Sequence, residues 1–222
     1  GLKAGVDTIE HGAPLTDELL KLFKKNGLGN ASSLTCTLSP ALPFAVLSPE
    51  KTHSTHVQKV NGRVVYEGVA TATRQALANG IPVGLGTDSA CPFVTHYDMW
   101  REVVYFQRHT GVTPEFALHT ATLKNAQLLG VANETGSIET GKSADLIVLD
   151  ANPLDDLCAL RNVEQVYMAG KPVKYKAKHL PKIDAELDGI MNGLDNDPFV
   201  SEWNIASEKK SLNPFAKRGT KE

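Results

Sequence analysis

The chain has 222 residues, 41% of them hydrophobic and 22% charged, with a formal net charge of -2. This composition excludes a disordered or fibrous protein, and the near-neutral balance argues against nucleic acid or an anionic membrane as a partner. No apolar run is long enough to span a bilayer, and the start, Gly1-Leu2-Lys3-Ala4-Gly5, is not a signal peptide. It lacks an initiating Met and reads as the middle of an element, so a preceding segment is expected. Cys36, Cys91 and Cys158 are far apart and form no CxxC, which suits a reducing cytoplasm rather than a disulfide framework. Cys91 lies three residues after Asp88 without a His-paired nucleophile motif, so it reads as a bystander.

In chain order, Val6–Glu10 is short, β-branched and alternating, and reads as a strand ending at His11-Gly12. A helix follows to Lys25, with Thr16 as its cap, acids in its first turn, lysines in its last and Gly27 beyond. Leu34–Leu38 is a second strand, stopped by Ser39-Pro40. A long polar connection rich in Pro and His is expected up to about Arg63, then a helix from Glu67 to Asn79. Ile81–Asp88 reads as a third strand, apolar like one buried on both faces of a parallel sheet. Asp98–His109 is a helix closed by Gly111. Thr113-Pro114-Glu115 starts another, broken near Thr122 and ending at Leu129. Strands alternating with helices at this spacing predict α/β organisation with a parallel sheet.

After Gly130 the pattern changes. Gly136–Lys142 is rich in turns, Ala144–Asp150 and Val163–Met168 are strands, and Ala169-Gly170-Lys171-Pro172 turns the chain back into Val173–Tyr175. This all-β segment is too small to bury a core alone and requires strands from elsewhere. The tail from Lys176 carries a short helix near Ile183–Met191 and a turn at Asp195–Pro198.

Two strands end in a side chain able to bind a metal: His11 ends the first and Asp88 the third. In a parallel barrel the carboxyl ends of all strands open on one face, where catalytic residues gather. His and Asp both suit Zn²⁺. Taken singly, His11 reads as a capping or core histidine and Asp88 as a helix N-cap; their place together on strand ends of one sheet brings the metal-ligand reading level with these. His53 and His56 read as a solvated loop. His96, after the third strand, is either a substrate contact or a helix-start residue. Trp100, Tyr105 and Phe106 read as core, His109 and His119 as surface or interhelix residues, and Asp145 as the cap of a turn. Gly84 and Gly86 belong to no GxGxxG and are joined by no Walker lysine, which sets a nucleotide site aside.

The stretch Ala4-Gly5-Val6-Asp7-Thr8-Ile9-Glu10-His11-Gly12 resembles the sixth-strand motif of the amidohydrolase superfamily, nearest its imidazolonepropionase-like and prolidase-type (Xaa-Pro dipeptidase-like) branch. Gly84-Leu85-Gly86-Thr87-Asp88-Ser89 resembles the eighth-strand motif. Thr113–Leu118, Ala121-Thr122 and Asn125–Gly130 resemble the helices that follow, and Gly136–Asp150 the return into the small β-sandwich. The matches run in the family's order over about residues 1–173. They imply part of a TIM-type (β/α)8 barrel, its strands 6–8 with their helices, over residues 1–130. Residues 131–175 would be part of a composite β-sandwich domain, and residues 176–222 a C-terminal extension.

By this resemblance Asp88 binds the first metal and takes the proton of the attacking water. His11 binds a second metal, or contacts water or substrate where one metal serves. The implied cofactor is one or two divalent ions, zinc expected. The implied activity of the whole protein is hydrolysis of a C–N bond, with Xaa-Pro peptide bonds and cyclic amides as candidates. The family's HxH pair, its fourth-strand lysine or glutamate and its fifth-strand histidine are absent from this sequence. The chain alone is therefore expected to be inactive, its partners being the preceding half of the same protein and a small-molecule or dipeptide substrate. A homo-oligomer stays open. The alternative function is a non-catalytic binding or assembly module derived from the barrel.

Overall fold

The computed structural model describes residues 1–174 and 177–201. Three short strands, β1 (Thr8–Glu10), β2 (Ser33–Cys36) and β3 (Val83–Leu85), form a parallel sheet in the order β1-β2-β3. Ile9 faces Leu34, and Thr35 faces Gly84. The first connection carries α1 (Asp17–Lys24), whose cap Thr16 accepts a hydrogen bond from the Leu19 N–H. The second carries α2 (Leu42–Val46), α3 (Pro49–Thr52) and the long α4 (His56–Ala78).

The strands are shorter than the sequence suggests. β3 stops at Leu85, and Asp88 lies three residues past it in the left-handed region (φ 54°), outside the ladder. The expected polar connection before Arg63 is instead largely helical. Its prolines occupy the first turns of α2 and α3, where the missing N–H costs nothing. Thr55 and Gln58 form a capping box that starts α4 eleven residues earlier than Glu67, the Thr55 N–H donating to Gln58 Oε1 at 2.8 Å and the Gln58 N–H to Thr55 Oγ1 at 3.2 Å. The polar residues from His56 to Arg63 lie on the largely exposed first turns of a helix, not in a loop.

Leu34, Cys36 and Leu38 of β2 and its extension are fully buried, as are Val69, Ala72 and Ala76 of α4. Small side chains on α4 let it lie close against the sheet. After β3 come α5 (Met99–Thr110), closed by left-handed Gly111, and α6 (Pro114–His119), capped by Thr113. The expected break near Thr122 is a π-helical turn over Thr120–Lys124, which passes into α7 (Asn125–Leu128).

A second sheet is antiparallel, with β5 (Val163–Met168) between β4 (Leu146–Leu149) and β6 (Lys171–Pro172). Ile147, Val148, Val166 and Met168 are exposed on it, so apolar strand residues lack a covering layer. Asp145 accepts from the Ala169 N–H at 2.8 Å and caps the β5–β6 turn. Tyr175, expected in the return strand, lies outside the described residues. The tail helix α8 (Pro181–Gly193) buries Leu187, Ile190 and Met191. Its Asp188 receives the Arg101 and Arg161 guanidiniums at 2.8 and 2.9 Å. No helix among the described residues is long and apolar enough to cross a membrane.

Candidate active site

His11 and Asp88 meet at the carboxyl end of the parallel sheet. The His11 N–H donates to Thr35 O at 3.0 Å, and the Gly86 N–H to Cys36 O at 3.1 Å, so β2 anchors both approaches. Beyond these bonds each chain turns through a left-handed residue, His11 itself at φ 62° and Asp88 at φ 54°. His11 Nε2 and Asp88 Oδ2 then lie 3.6 Å apart, both about half exposed. Two donors sharing one tetrahedral ion at bonds of about 2.0–2.2 Å would stand about 3.4 Å apart. The nitrogen–oxygen pair therefore fits a divalent metal in both chemistry and spacing. Catalytic zinc ordinarily takes about three protein ligands. Among the described residues, no group of three or more His, Cys, Asp or Glu side chains is placed to hold an ion.

The loop after β3 is strained. Asp88, Ala90 and Phe93 all have positive φ, at a cost of roughly 1–3 kcal/mol each. Cys91 is more than a neighbour in sequence, because its thiol donates to Asp88 Oδ2 at 3.3 Å. Burial, then the Asp88 carboxylate, raise its pKa, which holds it as a thiol and against a nucleophilic role. The far end of the loop is pinned by Asp98, which accepts from Thr95 Oγ1 at 2.7 Å and Trp100 Nε1 at 3.0 Å. Tyr97 ties it to the tail: its hydroxyl donates to Asp184 at 3.0 Å and accepts from the Leu180 N–H at 2.9 Å.

The other candidates stand apart from the pair. His96 is exposed, with its ring against Tyr97 at 5.5 Å. His53 ends α3 and His56 begins α4, both exposed. His109 is fully buried between helices, bonded to the Tyr66 hydroxyl and to Tyr105 O, both at 2.6 Å, and burial lowers its pKa to about 4. Trp100, Tyr105 and Phe106 are core residues.

Sequence reading missed Glu102. This side chain is fully buried on α5 and reaches the end of β2, accepting from the Leu38 N–H at 2.7 Å, the Ser39 N–H at 2.9 Å and the Ser39 hydroxyl at 2.5 Å. Burial pushes its pKa up to about 7, against the pull of those donors. It fixes the segment that runs between His11 and Asp88. The one signal in the sequence is an acid set beside the apolar run Val103-Val104-Tyr105-Phe106 on one helix.

The sequence profile of the amidohydrolase family matches residues 3–173. A prolidase-like protein from Bifidobacterium longum is 46% identical and superposes with a TM-score of 0.82 over 85% of this chain and 47% of its own. A Xaa-Pro dipeptidase solved with methionine in its active site is 31% identical, with a TM-score of 0.65 over 78% of this chain and 41% of its own. Imidazolonepropionase of Thermoplasma acidophilum is 36% identical over 95 residues, which are 43% of this chain and 23% of that protein. The chain spans less than half the length of each of these relatives.

Proposed function

Since the chain belongs to the amidohydrolase family, we propose that the whole protein hydrolyses a C–N bond at the His11–Asp88 pair, with an Xaa-Pro peptide bond as the leading substrate. One observation carries the reading: the 3.6 Å approach of His11 Nε2 to Asp88 Oδ2 at the carboxyl end of a parallel sheet. In this reading residues 1–130 are the C-terminal part of the hydrolase barrel, residues 131–175 part of a composite β-sandwich, and residues 176–222 an extension. The Xaa-Pro preference draws on the prolidase-like and Xaa-Pro dipeptidase relatives.

His11 and Asp88 would hold a divalent ion, zinc being the leading candidate, together with ligands from the rest of the protein. When bound, such an ion polarises the scissile carbonyl and lowers the pKa of water from about 15.7 towards about 7. Asp88 takes a proton from the attacking water as the new C–O bond forms. It then delivers that proton to the amide nitrogen as the C–N bond breaks, so that a carboxylic acid and an amine leave. The His11 backbone bond to Thr35 anchors the residue, and its ring nitrogen stands beside the Asp88 carboxylate. The left-handed turns at both residues aim the side chains at each other, and the strained loop holds that aim before substrate arrives.

The test is hydrolysis of Xaa-Pro dipeptides and cyclic amides by the full-length protein, before and after chelation and zinc addition. Turnover that falls with the chelator and returns with zinc supports the reading. A full-length protein that binds zinc and cleaves no amide in the panel would overturn it.

A further inference from the structure

Beside His11 the α2–α4 connection forms a cavity of about 440 Å³. Its floor is Thr37 and Ala41, and its walls are Phe44 of α2 and Val65 of α4, with Gln58 and Asn61 at the rim. His11 is the single titratable side chain in the lining. Two features build this wall. Gly62 of α4 allows α2 to press against it, for a Cβ there would sit 2.6 Å from the Phe44 Cβ and 3.1 Å from its carbonyl carbon. Phe44 also packs edge-on to Phe93, ring centres 6.1 Å apart, so the loop after β3 that carries Asp88 buttresses the same wall. The cavity thus adjoins His11 of the pair, and Phe93 of the loop that carries Asp88 braces its α2 wall. Small-molecule sites are concave, mostly apolar and carry a few polar groups at defined places, which describes this one.

We propose that this cavity is a specificity pocket for an uncharged aliphatic or aromatic group next to the scissile amide. The inference rests on the amide-hydrolase reading for the position of the bond, but the chemistry of the pocket is its own. A Leu or Phe side chain would be buried against Ala41, Phe44 and Val65, and the lining holds no Lys, Arg, Asp or Glu to receive a charged side chain away from His11. Burial of a group of that size is worth about ten- to a hundredfold in kcat/KM when realised in the transition state.

The test uses the full-length, zinc-supplemented protein and two dipeptide series, Xaa-Pro and Leu-Xaa, with Xaa being Leu, Phe, Gly, Lys or Glu. The expected result is that one series favours Leu and Phe over Glu and Gly by tenfold or more. Val65→Glu, a half-exposed helix position that should tolerate the change, should erase that preference and raise Lys above Leu. A second measurement is independent of turnover: saturation transfer from the protein to the methyl protons of N-acetyl-L-leucine, lost in Val65→Glu. Hydrolysis without side-chain preference, or a Val65→Glu effect equal for every substrate, would overturn the pocket. If no amide is cleaved but the methyl signal is present and lost in Val65→Glu, the pocket stands and the hydrolase reading fails. No methyl saturation together with no cleavage overturns both.

Discussion

The Asn125 side chain grips the backbone of Leu85. Its Oδ1 accepts from the Leu85 N–H and its Nδ2 donates to Leu85 O, both at 2.9 Å. A side-chain amide thereby pairs with the edge of β3 as a neighbouring strand would. The π turn over Thr120–Lys124 immediately precedes Asn125 and sets its direction. Such insertions in helices often coincide with functional sites. Three residues beyond Leu85 stands Asp88, so the grip also sets where the candidate metal ligand begins its excursion.

Asn125→Ala should cost about 1–3 kcal/mol, since it leaves both backbone groups of Leu85 without this partner. Asn125→Asp should cost more, because a carboxylate would face Leu85 O. Gly84→Val should act through the same contact, for a Cβ there would stand 2.8 Å from Asn125 Oδ1 and 3.0 Å from Leu128 Cδ1. Denaturant midpoints of the full-length variants check this. Unchanged midpoints for all three would show that the clasp contributes nothing.

Glu102 should make stability depend on pH. Its folded pKa is raised to about 7 from the ordinary value of 4.5 by burial, so the folded state holds its proton more tightly than the unfolded one. This contribution to stability is present in full below pH 4.5 and is lost as pH rises to about 7. The total is roughly 3 kcal/mol. Glu102→Gln should flatten that portion of the profile while lowering stability at all pH values, because its amide meets the Leu38 and Ser39 donors with one acceptor in place of two. Denaturation from pH 5 to 8 is the measurement, and an unaltered pH slope in Glu102→Gln would refute the assignment.

His109 predicts the opposite slope. It is buried, and its pKa is lowered to about 4 by burial, so its neutral ring is what the fold accepts. Stability from this group is present in full above about pH 6.5 and is lost as pH falls through 4. His109→Gln, which can still bond the Tyr66 hydroxyl, should remove part of the acid sensitivity. Acid midpoints that coincide for the two proteins would argue that other groups control acid unfolding.

On the proposed hydrolase reading, Asp88→Asn should lower kcat of the full-length protein by about 10²–10⁴ even where metal is retained, because the amide keeps the shape and a weak oxygen donor but cannot take a proton. His11→Asn should lower bound metal together with turnover, because the ring nitrogen is one of the two donors this pair would offer the ion. Turnover and bound metal are measured together for each variant. Wild-type turnover in Asp88→Asn with metal bound would remove Asp88 from the chemistry.

Asp188→Ala should loosen the tail helix. Asp188 receives both Arg101 and Arg161, and Arg101 is buried, so the loss leaves that guanidinium with Asp98 as its remaining carboxylate partner. Faster limited proteolysis within residues 181–197 is expected. An unchanged cleavage rate would show that apolar burial of Leu187, Ile190 and Met191 holds α8 by itself.

Local sequence determined much of this protein. Strand, helix and cap signals placed β1, α1, α5 and α6, because capping, periodicity and glycine stops are interactions among residues a few positions apart. The motifs at His11 and Asp88 carried the family for the same reason, being short and contiguous. The polar run before Arg63 misled because polarity is shared by a loop and by the solvated side of a helix. Only the Thr55–Gln58 box, an i to i+3 pattern, separates them. The rest was decided by tertiary structure. Glu102 meets Ser39 across 63 residues, Asn125 meets Leu85 across 40, and Phe44 of α2 meets Phe93 of the loop after β3. The 3.6 Å approach of His11 to Asp88 is of the same kind. Such contacts depend on strand order, register and left-handed turns that bring distant segments together, and no local pattern encodes a distance between residues that the fold alone makes neighbours.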